Sequence, residues 1–297
     1  MDFEAVCSCE CVDQAPSVEL LQAPAPVAKQ PPPTARSLTV LAGRTKSGER
    51  ERESLHIEAG EIVCVVGPTG SGKSRLLADI ECLAQGDTPS GRRVLIDGAA
   101  PQTESRYAAH RKLVAQLSQN MNFVVDLSVG EFIVMHAQCR QVADPAGVAR
   151  EAIACANDLA GEKITAHASL TELSGGQTRA LMIADIALIS ASPIVLIDEI
   201  ENAGIDRRRA LDLLTSSDKI VVVSTHDPIL ALMGDRRAVV RHGAVAAILK
   251  TSTQERAHLA RLQEIDRAML DLRDRLRGGE RIGELSGVLR ETARWMR

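Results

Sequence analysis

The sequence predicts an α/β fold with a mainly parallel sheet, and three observations carry that prediction. Ile62-Val63-Cys64-Val65-Val66, Ile194-Val195-Leu196-Ile197 and Ile220-Val221-Val222-Val223 are near-continuous β-branched runs, the pattern of strands covered on both faces. The first of these runs enters the glycine-rich string Gly67-Pro68-Thr69-Gly70-Ser71-Gly72-Lys73-Ser74, and residues 74–83 then read as a helix. Between residues 120 and 172 strand signals fade, and segments such as 129–139 and 146–159 look helical.

Taken in order, residues 1–36 contain Pro16, Pro24, Pro26, Pro31, Pro32 and Pro33, which predicts a disordered tail or semi-rigid linker. Cys7, Cys9 and Cys11 open that tail at alternate positions. An extended segment would put these thiols on one side, where they could share a soft metal; incidental thiols in a tail are the plainer alternative. After the helix at 74–83 come strands at 94–96 and 112–117, helices at 129–139 and 146–159, and then the two apolar strands at 194–197 and 220–223. Leu262, Ile265, Met269, Leu272 and Leu276 recur at spacings of three and four, Gly278-Gly279 interrupts, and Ile282, Leu285, Leu289 and Met296 follow. Residues 251–297 are therefore expected to form an amphipathic helical hairpin, packed on its own core or used for docking.

Composition narrows the classes. A chain of 297 residues with 45% hydrophobic residues can bury a sizeable core. A net charge of -4 and only 2% aromatic residues disfavour nucleic acid as the main partner, since neither a basic field nor stacking platforms are supplied. No run of 18 apolar residues is free of charge, and the acidic start does not resemble a basic signal-peptide n-region, so a cytoplasmic protein is expected. Seven cysteines, with Cys64, Cys82, Cys139 and Cys155 scattered through apolar segments, are expected to be small core residues rather than a disulfide framework.

The string at 67–74 matches G-x-x-x-x-G-K-[ST], a phosphate cradle. Its backbone N–H groups and the positive end of the following helix would surround a polyphosphate. Lys73 would neutralise β/γ oxygens and Ser74 would ligate Mg²⁺. About a hundred residues later stands Leu173-Ser174-Gly175-Gly176-Gln177. With this signature, the chain resembles the ATP-binding cassette (ABC) ATPases over residues 37–250. The resemblance implies a P-loop, RecA-like core of mixed or parallel sheet (37–119 and 180–250) with a helical subdomain inserted at 120–179.

The same resemblance assigns further residues. Asp198 and Glu199, at the end of a Walker B-like strand, would be a Mg²⁺ ligand and the general base for the attacking water; adjacent strand residues face opposite ways and cannot share one task. His226, in Ser224-Thr225-His226-Asp227, would be the switch histidine that senses the γ-phosphate. Gln119 would reach Mg²⁺ and link the core to the helical subdomain. Gln116 competes for that role, but the Leu127-Ser128-Val129-Gly130-Glu131 register favours Gln119. Ser174, Gly175, Gly176 and Gln177 would cap, in trans, an ATP held by the phosphate loop of a second cassette, and Asp206 would close the D-loop. A head-to-tail dimer, either a homodimer or one with a related cassette, is implied.

Three departures from the family pattern stand out. Glu199-Ile200-Glu201-Asn202-Ala203-Gly204-Ile205-Asp206 carries an extra acid and glycine and lacks the usual proline. Asp185 stands where transporter cassettes commonly carry an arginine. No aromatic residue lies in 38–48 to stack on adenine, leaving Arg44 or Lys46 to cover the base. Two functions follow: the ATP-hydrolysing motor of a membrane transporter, peripheral on the inner membrane face beside permease subunits, or a soluble ATPase that remodels a protein client or assembles a metalloenzyme.

Overall fold

The computed structural model describes residues 33–103, 106, 112–118, 121–198, 205–216 and 218–281. Strands β1 (Ser37–Leu41), β2 (Leu55–Glu58) and β4 (Arg93–Ile96) form an antiparallel sheet in the order β2-β1-β4. Strands β3 (Ile62–Val66), β5 (Val114–Leu117), β6 (Ile194–Asp198), β7 (Ile220–Ser224), β8 (Arg236–Arg241) and β9 (Ala244–Lys250) form a second sheet in the order β5-β6-β7-β3-β8-β9. Its first five strands run parallel and β9 returns antiparallel to β8. The expected mixed α/β sheet is present, with β1, β2, β8 and β9 added to the strands read from the sequence.

Alternation along the central strands feeds two cores. Cys64, Val195, Ile197, Val221 and Val223 pack with Val129, Ile133, Ala152, Leu170 and Leu181 of the helical layer. Their strand neighbours Val63, Val65, Leu196 and Val222 face the other way, toward Leu76, Leu77 and Ile80 of α1 (Lys73–Glu81) and Leu38 and Leu55 of the small sheet. Cys64 is buried, as expected, and burial pushes its thiol up to about 12, so it stays protonated. Cys82 and Cys139 are corrections: both are exposed, because each sits at a helix end on the solvent side.

The inserted layer contains α2 (Val129–Cys139), α3 (Pro145–Leu159), a 3₁₀ turn at Leu170–Glu172 and α4 (Gly175–Leu188), which runs from the insertion back toward β6. Ser128 and Glu131 cap α2 reciprocally: Glu131 N–H donates to Ser128 Oγ at 3.3 Å, and Ser128 N–H donates to Glu131 Oε2 at 2.9 Å. Loss of that cap in Ser128→Ala is expected to cost about 1 kcal/mol, read as a lower urea midpoint at unchanged slope.

Helices α5 (Arg207–Thr215) and α6 (Pro228–Met233) flank β7, and α7 (Thr253–Arg277) follows β9. The sequence-predicted helix is present as α7; the second arm of the expected hairpin lies outside the described residues, apart from its start at Arg281. α7 is tied to the core by ion pairs between its start and its middle, Arg237–Glu255 at 2.5 Å, Arg256–Asp235 at 2.9 Å and Arg207–Asp266 at 2.6 Å. Further along it, Met269 and Leu276 remain exposed. Among the described residues no helix is long and apolar enough to cross a membrane.

Candidate functional site

Because β6, β7 and β3 are adjacent and parallel, their C-terminal ends open on one edge of the sheet. Three sequence-predicted segments meet there. The loop 67–74 follows β3, Asp198 ends β6 in register with Ser224 of β7, and His226 lies two residues beyond β7. The Lys73 Nζ ammonium donates to Gly67 O at 2.9 Å and to His226 Nε2 at 3.1 Å, so the cradle lysine and the histidine, 153 residues apart, are in contact. Nε2 accepts this bond, which places the ring proton of the neutral tautomer on Nδ1.

The loop has the shape of an anion cradle. Gly72 caps α1 at φ 110° and offers no side chain to its first turn, which also lacks an acid. In contrast, α2, α3, α4, α5 and α6 each have a side-chain cap, so the uncapped N–H groups of α1 are the ones left for an outside acceptor. A Cβ on Gly67 would lie 2.3 Å from Val240 O, and one on Gly72 would lie 2.8 Å from Gly243 Cα, so neither position admits another residue. Ser71 Oγ and Ser224 Oγ are buried without a hydrogen-bond partner among the described residues, both at this edge. Lys73, Ser74 and Asp198 supply the ammonium, hydroxyl and carboxylate that a nucleotide with Mg²⁺ requires, so the residues present fit that pair.

Glu199 and Gln119 lie outside the described residues. Their neighbours are at the edge: Asp198 and Ser118 line one narrow crevice together with Arg179 and Ile197. Gln116, the competitor for Gln119, is in β5 with its side-chain amide against the Glu81 carboxylate.

The signature occupies a different place. Ser174 caps α4 and Gln177 caps Ser174 in return: Gln177 N–H donates to Ser174 Oγ at 3.3 Å and Ser174 N–H to Gln177 Oε1 at 2.9 Å. Ser-Gly-Gly-Gln thus spells a capping box, a signal present in the sequence as S-x-x-Q and overlooked there. The hydrogen bonds of Ser174 and Gln177 stay within this cap and at Lys163; among the described residues none reaches 67–74. A Cβ on Gly175 would meet nothing within 4 Å, so packing within the chain does not demand glycine there.

Asp206 caps α5 by accepting from the Arg208 and Arg209 N–H groups at 3.1 Å. The next residue, Arg207, pairs with Asp227, beside His226, and with Asp266 of α7. This link between the D-loop end, the histidine loop and the C-terminal helix was not anticipated from sequence.

Two departures gain a physical account. Asp185 accepts from His136 Nδ1 of α2 at 2.6 Å while Arg140 Nε donates to His136 Nε2 at 3.2 Å, so the unusual acid is one end of an interhelical relay. That relay lines a cavity of about 240 Å³ with Lys112, Met121, Phe123 and Phe132, between β5 and the helical layer. Lys46 Nζ donates to Gly70 O at 2.6 Å, which fixes it on the phosphate loop, while Arg44 faces an open cavity of about 530 Å³ with Arg50 and Gly91.

Comparison with known proteins agrees with this geometry. The sequence profile of the family described as ABC transporter matches residues 51–202. The chain is 52% identical over 248 residues to an uncharacterized ABC transporter ATP-binding protein of Methanocaldococcus jannaschii, covering 83% of this chain and 95% of that protein. It is 32% identical over 215 residues to the macrolide export ATP-binding/permease protein MacB of Brucella abortus, covering 69% of this chain but only 32% of that longer protein. Among solved structures, a dimeric ATP-binding cassette in a post-hydrolysis state bound to ADP and Pi superposes with a TM-score of 0.53 at 24% identity, covering 72% of this chain and 99% of that one.

Proposed function

The chain belongs to the ABC transporter family of ATP-binding proteins, and from that membership we propose that it is the ATP-hydrolysing motor of a membrane transporter, working as a head-to-tail dimer. One observation carries the reading: Lys73, Asp198 and His226 gather at one sheet edge, while among the described residues the Ser174 cap makes no hydrogen bond to that edge. A chain built this way holds a phosphate site and, elsewhere, the lid for another.

Backbone N–H groups of 67–74 and the uncapped start of α1 bind the phosphates, and Lys73 exchanges the Gly67 carbonyl for β/γ oxygens. Ser74 and Asp198, with Gln119, would hold Mg²⁺, which would supply charge neutralisation at those oxygens. Glu199 takes the proton of the attacking water. His226, already 3.1 Å from Lys73 Nζ, is placed to exchange that contact for the γ-phosphate and so to report its presence. Ser174, Gly175, Gly176 and Gln177 close over the partner's ATP, and Asp206 lies where the two cassettes meet. ATP favours the closed dimer, and loss of the γ-phosphate removes that preference. The two interface sites follow from this pairing, each requiring both chains.

The largely apolar cavity between β5 and the helical layer, lined by Phe123, Phe132 and Met121, is where a permease segment on the inner membrane face would dock. A permease partner is favoured over a soluble client by the relatives named for transport. The expected result is Mg²⁺-dependent ATP turnover and co-purification of the tagged chain with a polytopic membrane protein after detergent extraction. Recovery with soluble proteins only would overturn the transporter assignment and leave the ATPase standing.

A further inference from the structure

The phosphate loop rests on a buried ionic cluster that takes no part in the chemistry above. Arg92 is 0% exposed, although it stands in Gly91-Arg92-Arg93, a string that reads as a surface turn. Its Nε and Nη2 donate to the two oxygens of Glu51, each at 3.0 Å, and its Nη1 donates to Asp79 Oδ2 of α1 at 2.9 Å. Nη2 also donates to Gly243 O at 2.6 Å. Glu51 further accepts from the N–H groups of Gly43, at 2.9 Å, and Val245, and Asp79 from Ser90 Oγ at 2.7 Å. Every partner of the guanidinium is thus itself held, as a charge removed from water requires.

The position of Gly243 gives this cluster a consequence. His242 and Gly243, at φ 50° and 85°, form the two-residue turn between β8 and β9. Gly243 N–H donates to Ser71 O at 2.6 Å, and its Cα is the surface against which Gly72 packs without room for a Cβ. Lys46 N–H donates to His242 O at 2.8 Å on the same turn while Lys46 Nζ holds Gly70 O. The turn is therefore the back wall of the loop. Arg92 grips that wall by its carbonyl and, through Asp79, grips the helix that begins at Lys73.

We propose that Arg92 is a positioning residue for nucleotide binding: its fork, oriented by Glu51 and Asp79, fixes the Gly243 carbonyl and so sets the curvature of residues 67–74. The proposal rests on the reading of 67–74 as the phosphate site. A lysine at 92 would keep the charge and lose the planar fork, so it cannot serve Glu51 twice together with Asp79 and Gly243.

The test is Arg92→Lys, with folding checked by circular dichroism and a thermal melt. The dissociation constant for Mg-ADP is measured by calorimetry, and KM and kcat for ATP by steady-state hydrolysis, all well below the melting midpoint. The expected result is a roughly ten-fold weaker Mg-ADP affinity and a matching rise in KM, with kcat within about two-fold, the cost of one or two misaimed backbone donors. A folded Arg92→Lys protein that binds Mg-ADP as the parent does, with parental KM, overturns the proposal: the cluster is then structural only. If Arg92→Lys does not fold, Asp79→Asn takes the same measurements with the same two outcomes. Lys73→Ala is the control. If the parent itself does not bind Mg-ADP, or Lys73→Ala binds it equally, the phosphate-site reading has failed and not merely the role of Arg92.

Discussion

Glu199→Gln is expected to lower ATP turnover by about 10²–10⁴-fold while ATP binding is retained, and ATP is expected to hold the variant as a stable dimer. β6 is buried from Ile194 to Ile197 and surfaces at Asp198, so the strand delivers its first acid at the catalytic edge in register with Ser224. For Glu199, which lies outside the described residues, the task we propose is a different one, because adjacent residues of a strand face opposite ways. The amide of Gln keeps the shape and the hydrogen-bonding reach of the carboxylate but cannot accept a proton at neutral pH. The measurements are single-turnover hydrolysis and size-exclusion chromatography with and without Mg-ATP. Parental turnover in the Gln variant would remove Glu199 from the base role. Slow turnover without an ATP-held dimer would instead break the link between hydrolysis and dimer release.

The parts of this site that the sequence made legible share a physical property: they are local. β3, β6 and β7 announce themselves because a strand covered on both faces is a continuous apolar run, and the loop 67–74 follows directly from the first of them. β8 and β9 carry no such local signal. Arg236, Arg237 and Arg241 interrupt the apolar pattern of β8; Arg241 is exposed, and Arg236 and Arg237 pair with Glu61 and Glu255, 175 and 18 positions away. β1 and β2 are short and alternate between buried and less buried positions, a weak signal without knowledge of their pairing.

Arg92 shows the same limit at a functional distance. Its burial depends on Glu51, 41 positions earlier, and on the carbonyl of Gly243, 151 positions later. Nothing in a Gly-Arg-Arg string announces either. The two capping boxes were a different failure, because Ser128-x-x-Glu131 and Ser174-x-x-Gln177 are local and complete. Both coincide with family markers, and the marker hides the backbone chemistry that makes those residue types useful at a helix start.

Ser174→Arg is expected to abolish hydrolysis while leaving Mg-ATP binding to the same chain within about two-fold of the parent, since Ser174 makes no hydrogen bond to 67–74. The substitution also removes the α4 cap, worth about 1 kcal/mol, so Ser174→Ala is made beside it: the alanine loses the cap without adding bulk or charge and should keep measurable turnover. That Gly175 has open space around its would-be Cβ points the same way, toward a surface whose close contact comes from a second chain. Mixing decides whether it does. A Ser174→Arg chain keeps its phosphate loop, and a Lys73→Ala chain keeps its signature, so neither homodimer has a complete site if the arrangement is in trans. A mixed dimer would have one complete site of two. With equal amounts and random pairing, half the dimers are mixed, and turnover should recover to about a quarter of the parental value. If the signature instead served its own phosphate loop, no chain in the mixture would hold a complete site, and mixing would restore nothing.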